Sequence, residues 1–285
     1  MKIVALRILA DTLRSYRDGV PRLLDALDEI SAKGSFFFGM GSERSGSAMS
    51  KLFGAEKEIV PSAPGILKDA FKRGHDCGVC GMNPREWRAR LDKLPDTSVL
   101  ANIKNAHSNF RKRVGSPPNG FASPGFRVNY ISLRTLDDAG FKYCSDTFGF
   151  CPFIPKMSKK IFAIPQIPST LPTLEDLLRR LQPQEAMNLL SNMDDGLNVL
   201  PVDAELAASQ DALGFIRAFM ERAAGDGVKF LDMLTVAKNI DIKALPICEI
   251  NYRGSLGVQA KEPKPNNNVS SHESPREEPP HWIPI

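Results

Sequence analysis

The residues of this chain whose types could do chemistry are a few carboxylates, a thiol and some hydroxyls, each closing a short apolar run. Asp11 and Thr12 follow Ile8-Leu9-Ala10. Cys80 ends Cys77-Gly78-Val79. Arg127 follows Pro124-Gly125-Phe126, and Ser145 and Asp146 follow Tyr143-Cys144. Asp203 and Glu205 come after Leu197 to Val202. Paired carboxylates suit general acid–base work, and Asp and Cys are both legal zinc ligands. Histidine, the commonest metal ligand and proton carrier, is scarce. Of four, His272 and His281 lie near the C-terminal end, leaving His75 and His107.

Each feature has a plainer reading. Cys77 and Cys80 have redox-pair spacing, but residues three apart in a strand point to opposite faces. They read as one buried hydrophobe and one pocket thiol. Asp203 and Glu205 share a face if the strand runs past Val202, and otherwise form a solvated strand end. Asp11, Cys80 and Asp203 could together make an unusual metal site. His75 sits in a turn before a strand and reads as a turn cap, and His107 falls on the polar, exposed side of a helix. Lys156, Lys159 and Lys160 read as a solvated loop. Gly39-Met40-Gly41-Ser42 lacks the Lys-Ser/Thr ending of a phosphate loop.

These residues need elements to hold them. Short apolar runs at Lys2–Ile8, Ser35–Phe38, Cys77–Cys80, Gly120–Ser123, Phe141–Ser145, Phe162–Ile167 and Leu197–Val202 predict strands. Helical stripes separate them: Leu23, Leu24, Leu27 and Ile30, then Ile66 to Phe71, Val99 to Phe110, Ile131–Leu136, Thr173–Leu181 and Leu213 to Met220. Thr173 with Asp176 resembles a capping box. Such alternation predicts βα units around a parallel sheet, most economically one barrel-like domain with its chemistry at the strand exits. Of the 285 residues, 42% are hydrophobic and 25% charged, which excludes wholesale disorder. A net charge of +4 is far from a dedicated nucleic-acid binder. No apolar run approaches the roughly 20 residues of a membrane span. Arg7 and Asp11 interrupt the first apolar run, so it reads as a core strand of a cytoplasmic protein. Five cysteines argue against a disulfide framework. From Lys261 onward the chain is Pro-rich and predicts a disordered tail, 260–285, beyond a folded domain, 1–259.

Several strings fit in order: Leu6 to Thr12 with Asp18 to Leu24, Phe36-Phe37-Phe38, Gly74 to Gly78, Trp87, Gly125-Phe126-Arg127, Tyr143 to Asp146, Pro165 to Thr173, Leu245-Pro246-Ile247 and Gly254 to Gly257. With these the chain resembles the polysaccharide deacetylase (NodB-like) family over about residues 1–259. Within that family it resembles most the 4-deoxy-4-formamido-L-arabinose-phosphoundecaprenol deformylases. The resemblance implies a distorted (β/α)7 barrel that hydrolyses a sugar amide with a divalent metal such as zinc. It implies as partner an amino sugar or an undecaprenyl-phosphate-linked sugar, with no nucleic acid, and a cytoplasmic place that could be peripheral at the inner membrane. It also implies site residues. Asp11 matches the metal-ligand Asp, but the base position is Leu9. The paired metal histidines fall on Cys80 and Pro84, and the acid histidine on Asp203. Arg127 lacks the catalytic Asp that it orients in the family, and Ser145 and Asp146 match substrate-binding positions. The implied outcome is an inactive or weak copy with no bound metal. The alternative is an active hydrolase remodelled around Asp11, Cys80 and Asp203. Gly41 to Ala63 is shorter than its counterpart, an apolar insertion assigned to the lipid-linked substrate.

Overall fold

The structure, a computed structural model, describes residues 1–43, 57–58 and 65–260. Most of Gly41–Ala63 and the tail from Lys261 therefore lie outside the described residues. Six parallel strands form the barrel wall: β1 (Lys2–Ala10), β2 (Ser35–Phe38), β3 (Asp76–Val79), β4 (Gly120–Phe121), β5 (Tyr143–Cys144) and, further along the chain, Gly196–Asp203. Their order places Gly196–Asp203 beside β1, followed by β2, β3, β4 and β5.

The wall closes differently from the expected strand at Phe162–Ile167. Residues 165–171 run between β5 and Gly196–Asp203 as an irregular stave. The Cys144 amide donates to the Pro165 carbonyl at 2.9 Å, and Ile167 donates back to Cys144 at 2.8 Å. On the other side Thr170 and Leu171 both donate to the Val199 carbonyl, and the Thr170 hydroxyl accepts from the Val199 amide at 2.9 Å. Pro165, Pro168 and Pro172 carry no N–H, so a regular ladder cannot form there. With this stave the wall has seven members, as a distorted (β/α)7 barrel requires.

A second sheet that the sequence reading did not anticipate flanks the barrel. It contains β6 (Ile154–Met157) and β7 (Lys160–Ile161). The barrel strand Gly196–Asp203 is β8, and β9 (Lys229–Phe230) pairs the lower half of β1. β10 (Ile247–Arg253) and β11 (Leu256–Gln259) complete the second sheet. The lysines around Ser158 make its turn, with Ser158 and Lys159 at positive φ, and Lys156 pairs with Glu249 at 3.5 Å.

Outside the wall pack α1 (Val20–Glu29), α2 (Ile66–Lys72), α3 (Pro84–Arg90), α4 (Asp96–Val114), α5 (Tyr130–Asp138), α6 (Leu174–Arg180), α7 (Pro183–Ser191) and α8 (Gln210–Gly225), whereas α9 (Met233–Asn239), which follows β9, sets Met233 and Val236 into the inner core. Strand parity sorts the core into two layers. Val4, Leu6, Ile8 and Ala10 of β1 join Phe36, Phe38, Cys77 and Val79 in the outer layer beneath the helices. Ala5 and Leu9 join Phe37, Cys80, Tyr143 and Val199 inside the barrel. Cys77 and Cys80 thus face opposite ways, as their spacing predicts. Thr173 caps α6, its hydroxyl accepting from the Asp176 amide at 3.0 Å. His75 Nδ1 accepts from the Gly34 amide at 3.2 Å, and burial pushes its imidazole down to about 4. His107 departs from expectation. It is half-buried and packs edge-on against Phe141, because the polar side of α4 meets the start of β5 rather than open solvent.

Candidate active site

Parity also builds the site. Leu9 points inward, so Asp11, two residues on, leaves the strand on the same side. Leu9 lies in register with Asp203 of β8 and with Phe37 of β2. Cys80, one residue past β3, is fully buried and inward. Asp11, Cys80 and Asp203 converge at one mouth, each carboxyl or thiol within electrostatic reach of the others.

Beneath the mouth, Arg7 ties the strand exits together. It is 2% exposed and stands inside the barrel. Its Nη2 donates to the Ser123 carbonyl at 2.7 Å and to the Ser145 carbonyl at 3.0 Å. Its guanidinium lies 4.4 Å from the Phe126 ring centre. Burial lowers its pKa to about 10, against the opposing pull of Asp146. Asp146 is also enclosed. It accepts from the Ser123 amide at 2.9 Å and the Gln166 side-chain amide at 2.9 Å, and burial pushes its carboxyl up to about 6. Ser145 and Asp146 are thus inside the wall, and the Ser145 hydroxyl is buried without a partner.

Arg127 holds a neighbouring helix. Its Nη1 donates to the Arg88 carbonyl at 2.9 Å and its Nη2 to Asp92 at 3.2 Å. Trp87 Nε1 donates to the Arg127 carbonyl and the Ser123 hydroxyl, both at 2.9 Å. These bonds fix α3 beside the mouth. From α3 Arg88 reaches across, its Nη2 2.6 Å from Asp11 Oδ2. Asp11 is 3% exposed at its side chain and Arg88 43%, so a partly wet cation covers a buried carboxylate. Burial is the largest influence and lowers the Arg88 pKa, but the charge and hydrogen bond of Asp11, together with Asp203 and Cys80, outweigh it and the net shift is upward. No helix is predicted over 84–90 from the sequence, and Arg88 is given no role there. Its one signal is its place four residues after Pro84, hence on the same helix face.

Asp203 accepts the Glu205 amide at 2.9 Å, as a cap on the turn Ala204–Ala208. Its carboxyl is raised to about 6 by burial first and by Asp11 second. Glu205 turns aside to the Thr12 hydroxyl at 2.8 Å and Arg14 at 3.6 Å. Asp203 and Glu205 therefore do not act as a pair on one face. Beside the mouth an open cleft of about 960 Å3 runs from Asp203, Glu205 and Arg14 to Leu178, Leu206 and Phe215.

No protein-family model matches the chain. It is 27% identical over 272 residues to a probable 4-deoxy-4-formamido-L-arabinose-phosphoundecaprenol deformylase of Shewanella sediminis, spanning 84% of this chain and 87% of that protein. It shares its fold with a probable polysaccharide deacetylase of Pseudomonas aeruginosa, at a TM-score of 0.64 and 14% identity over 82% of this chain and 90% of that one. The chain thus resembles a NodB-like deformylase in sequence and shares the fold of the polysaccharide deacetylases. A CE4 family pseudoenzyme from Bacillus anthracis also shares this fold, at a TM-score of 0.54 and 13% identity, covering 83% of this chain and 66% of that one.

Deacetylase chemistry implies a divalent ion, and the donors at this mouth do not fit one. Leu9 and Pro84 offer no ligand atom. Burial holds the Cys80 thiol well above its ordinary range, in its protonated form. The Asp11 carboxylate is taken by Arg88. Among the described residues no three His, Cys, Asp or Glu side chains are grouped to hold a metal. The alternative ligand set of Asp11, Cys80 and Asp203 is therefore not assembled, although the three share the mouth.

Proposed function

We propose that this chain is a catalytically impaired deacetylase-family protein that binds an amino sugar, free or lipid-linked, at the barrel mouth. One observation carries the reading: Asp11, the remaining carboxylate of the family's metal and base pair, is engaged by Arg88 while Leu9 stands at the base position. Leucine cannot accept a proton. Loss of a general base alone removes about 10²–10⁴-fold in rate, and loss of an activated water adds to that. On this reading Arg127 acts through Arg88, while Ser145 and Asp146 support the floor beneath the sugar. At the mouth itself Asp203 supplies a carboxyl that burial raises to about 6. The substrate of the Shewanella sediminis relative, a formamido-arabinose on an undecaprenol carrier, suggests the class of sugar. Among the described residues no helix is long and apolar enough to cross a membrane. We place the protein in the cytoplasm, with the inner-membrane surface as the meeting point if the sugar is lipid-linked. Residues 1–259 form the functional unit and 260–285 an appendage to it.

The test is release of formate or acetate from N-formyl and N-acetyl amino sugars, with zinc or cobalt added. No release above buffer is expected, while calorimetry detects binding of the sugar. Release that Asp11→Asn abolishes would overturn the reading.

A further inference from the structure

We propose that Arg88 is a built-in cation that takes the place of a divalent ion at the barrel mouth and closes Asp11 to metal. The need for a cation is set by Asp11. A carboxylate 3% exposed is costly without a counter-charge. The other arginines near the mouth are committed elsewhere: Arg7 to the Ser123 and Ser145 carbonyls, Arg127 to Asp92 and the Arg88 carbonyl, and Arg14 to Glu205. Arg88 alone among them reaches Asp11, at 2.6 Å.

The site is built for this guanidinium. Pro84 opens α3, and Arg88 lies four residues on, one helical turn along the face that Pro84 presents to Gly39 and the mouth. Arg127 fixes the height of that turn through the Arg88 carbonyl, which makes it a positioning residue. Gly125, at φ +64°, leaves the channel for the arginine stem. A Cβ there would lie 2.7 Å from Arg88 Cγ. Guanidinium and metal ion need the same Asp11 oxygens, and arginine cannot shed its charge in a protein. The two therefore compete, and the tethered one has no concentration to lose. The face of Arg88 turned to solvent keeps N–H donors for an oxygen of a ligand, so the mouth can bind a sugar hydroxyl or carbonyl without metal.

The inference rests on reading the mouth as an impaired hydrolytic centre, but its readout is metal affinity. A chain that released formate while Arg88 still opposed metal would overturn that reading and leave this one standing. Zinc titration by calorimetry on the full chain compares Cys80→His/Pro84→His with the same variant carrying Arg88→Ala. The triple variant should bind zinc at least about 10-fold tighter, a difference of about 1.4 kcal/mol. Equal affinity, or a triple variant that binds none, overturns the proposal. A thermal double-mutant cycle with Asp11→Asn and Arg88→Gln needs no new ligands and decides alone if the histidine variants do not fold. Each single should lower Tm by roughly 4 °C or more, and the double no further than the worse single. Additive losses would show that the two side chains are not coupled.

Discussion

At the scale of single residues, Asp203 sets a pH dependence. Its carboxyl titrates near 6 rather than 3.8, so the folded state holds the proton more firmly than the unfolded chain. Ionising it costs stability as pH rises from about 4 to about 6, and the cost persists above. Asp203→Asn keeps the acceptor for the Glu205 amide and removes the charge. It should match the parent near pH 4 and exceed it by on the order of 2 kcal/mol at pH 7. Urea denaturation at the two pH values checks this, and an equal gain at both would contradict it. The convergence of Asp11, Cys80 and Asp203 was legible in the sequence, because strand exits in a parallel barrel face one pocket and strand parity picks the inward residue. Arg88 was not legible. A long side chain on a helix shows no sequence mark that separates reaching inward from lying in water. The burial of Asp146 was hidden too, since its partners Arg7 and Gln166 are far away in sequence.

At the scale of elements, Thr170 stands where the irregular stave meets β8. Thr170→Val is nearly isosteric and leaves the Val199 amide without its 2.9 Å acceptor. It should cost about 1–3 kcal/mol, the penalty of a buried unsatisfied donor. The urea midpoint should fall with the slope unchanged. An unchanged midpoint would mean that water or the Thr170 backbone compensates. β1, β2 and β8 were readable as apolar, β-branched or aromatic runs, and α1 and α4 from their 3.6-residue stripes. The expected strand at Phe162–Ile167 gave way to the stave at 165–171 because apolar content does not reveal that prolines forbid the ladder. β6 and β7 were missed because Ile154-Pro155-Lys156 lacks alternation and its lysines looked like loop.

At the scale of the whole molecule, the last described tie of the C-terminal end is the Ala260 amide on the Glu249 carbonyl at 2.8 Å. Truncation after Ala260 should leave Tm within about 1 °C of the parent by calorimetry, since a Pro-rich polar segment adds little apolar burial. A large drop would show that Trp282 docks on the barrel. The barrel itself was legible from the alternation of elements, though the way it closes was not. That closure also decides where the molecule opens. β1 and β8 are joined by eight register pairs, Lys2↔Gly196 through Leu9↔Asp203. The stave meets β5 through two backbone amide bonds, at Cys144 and Ile167, and β8 through two, from Thr170 and Leu171. The ring is thus clasped by a latch rather than welded, and thermal breathing should run through the latch. In deuterium the amides of Ile167, Thr170 and Leu171 should exchange well before those of Val4, Leu6 and Ile8. Any sugar gripping both rims of that seam would slow them first.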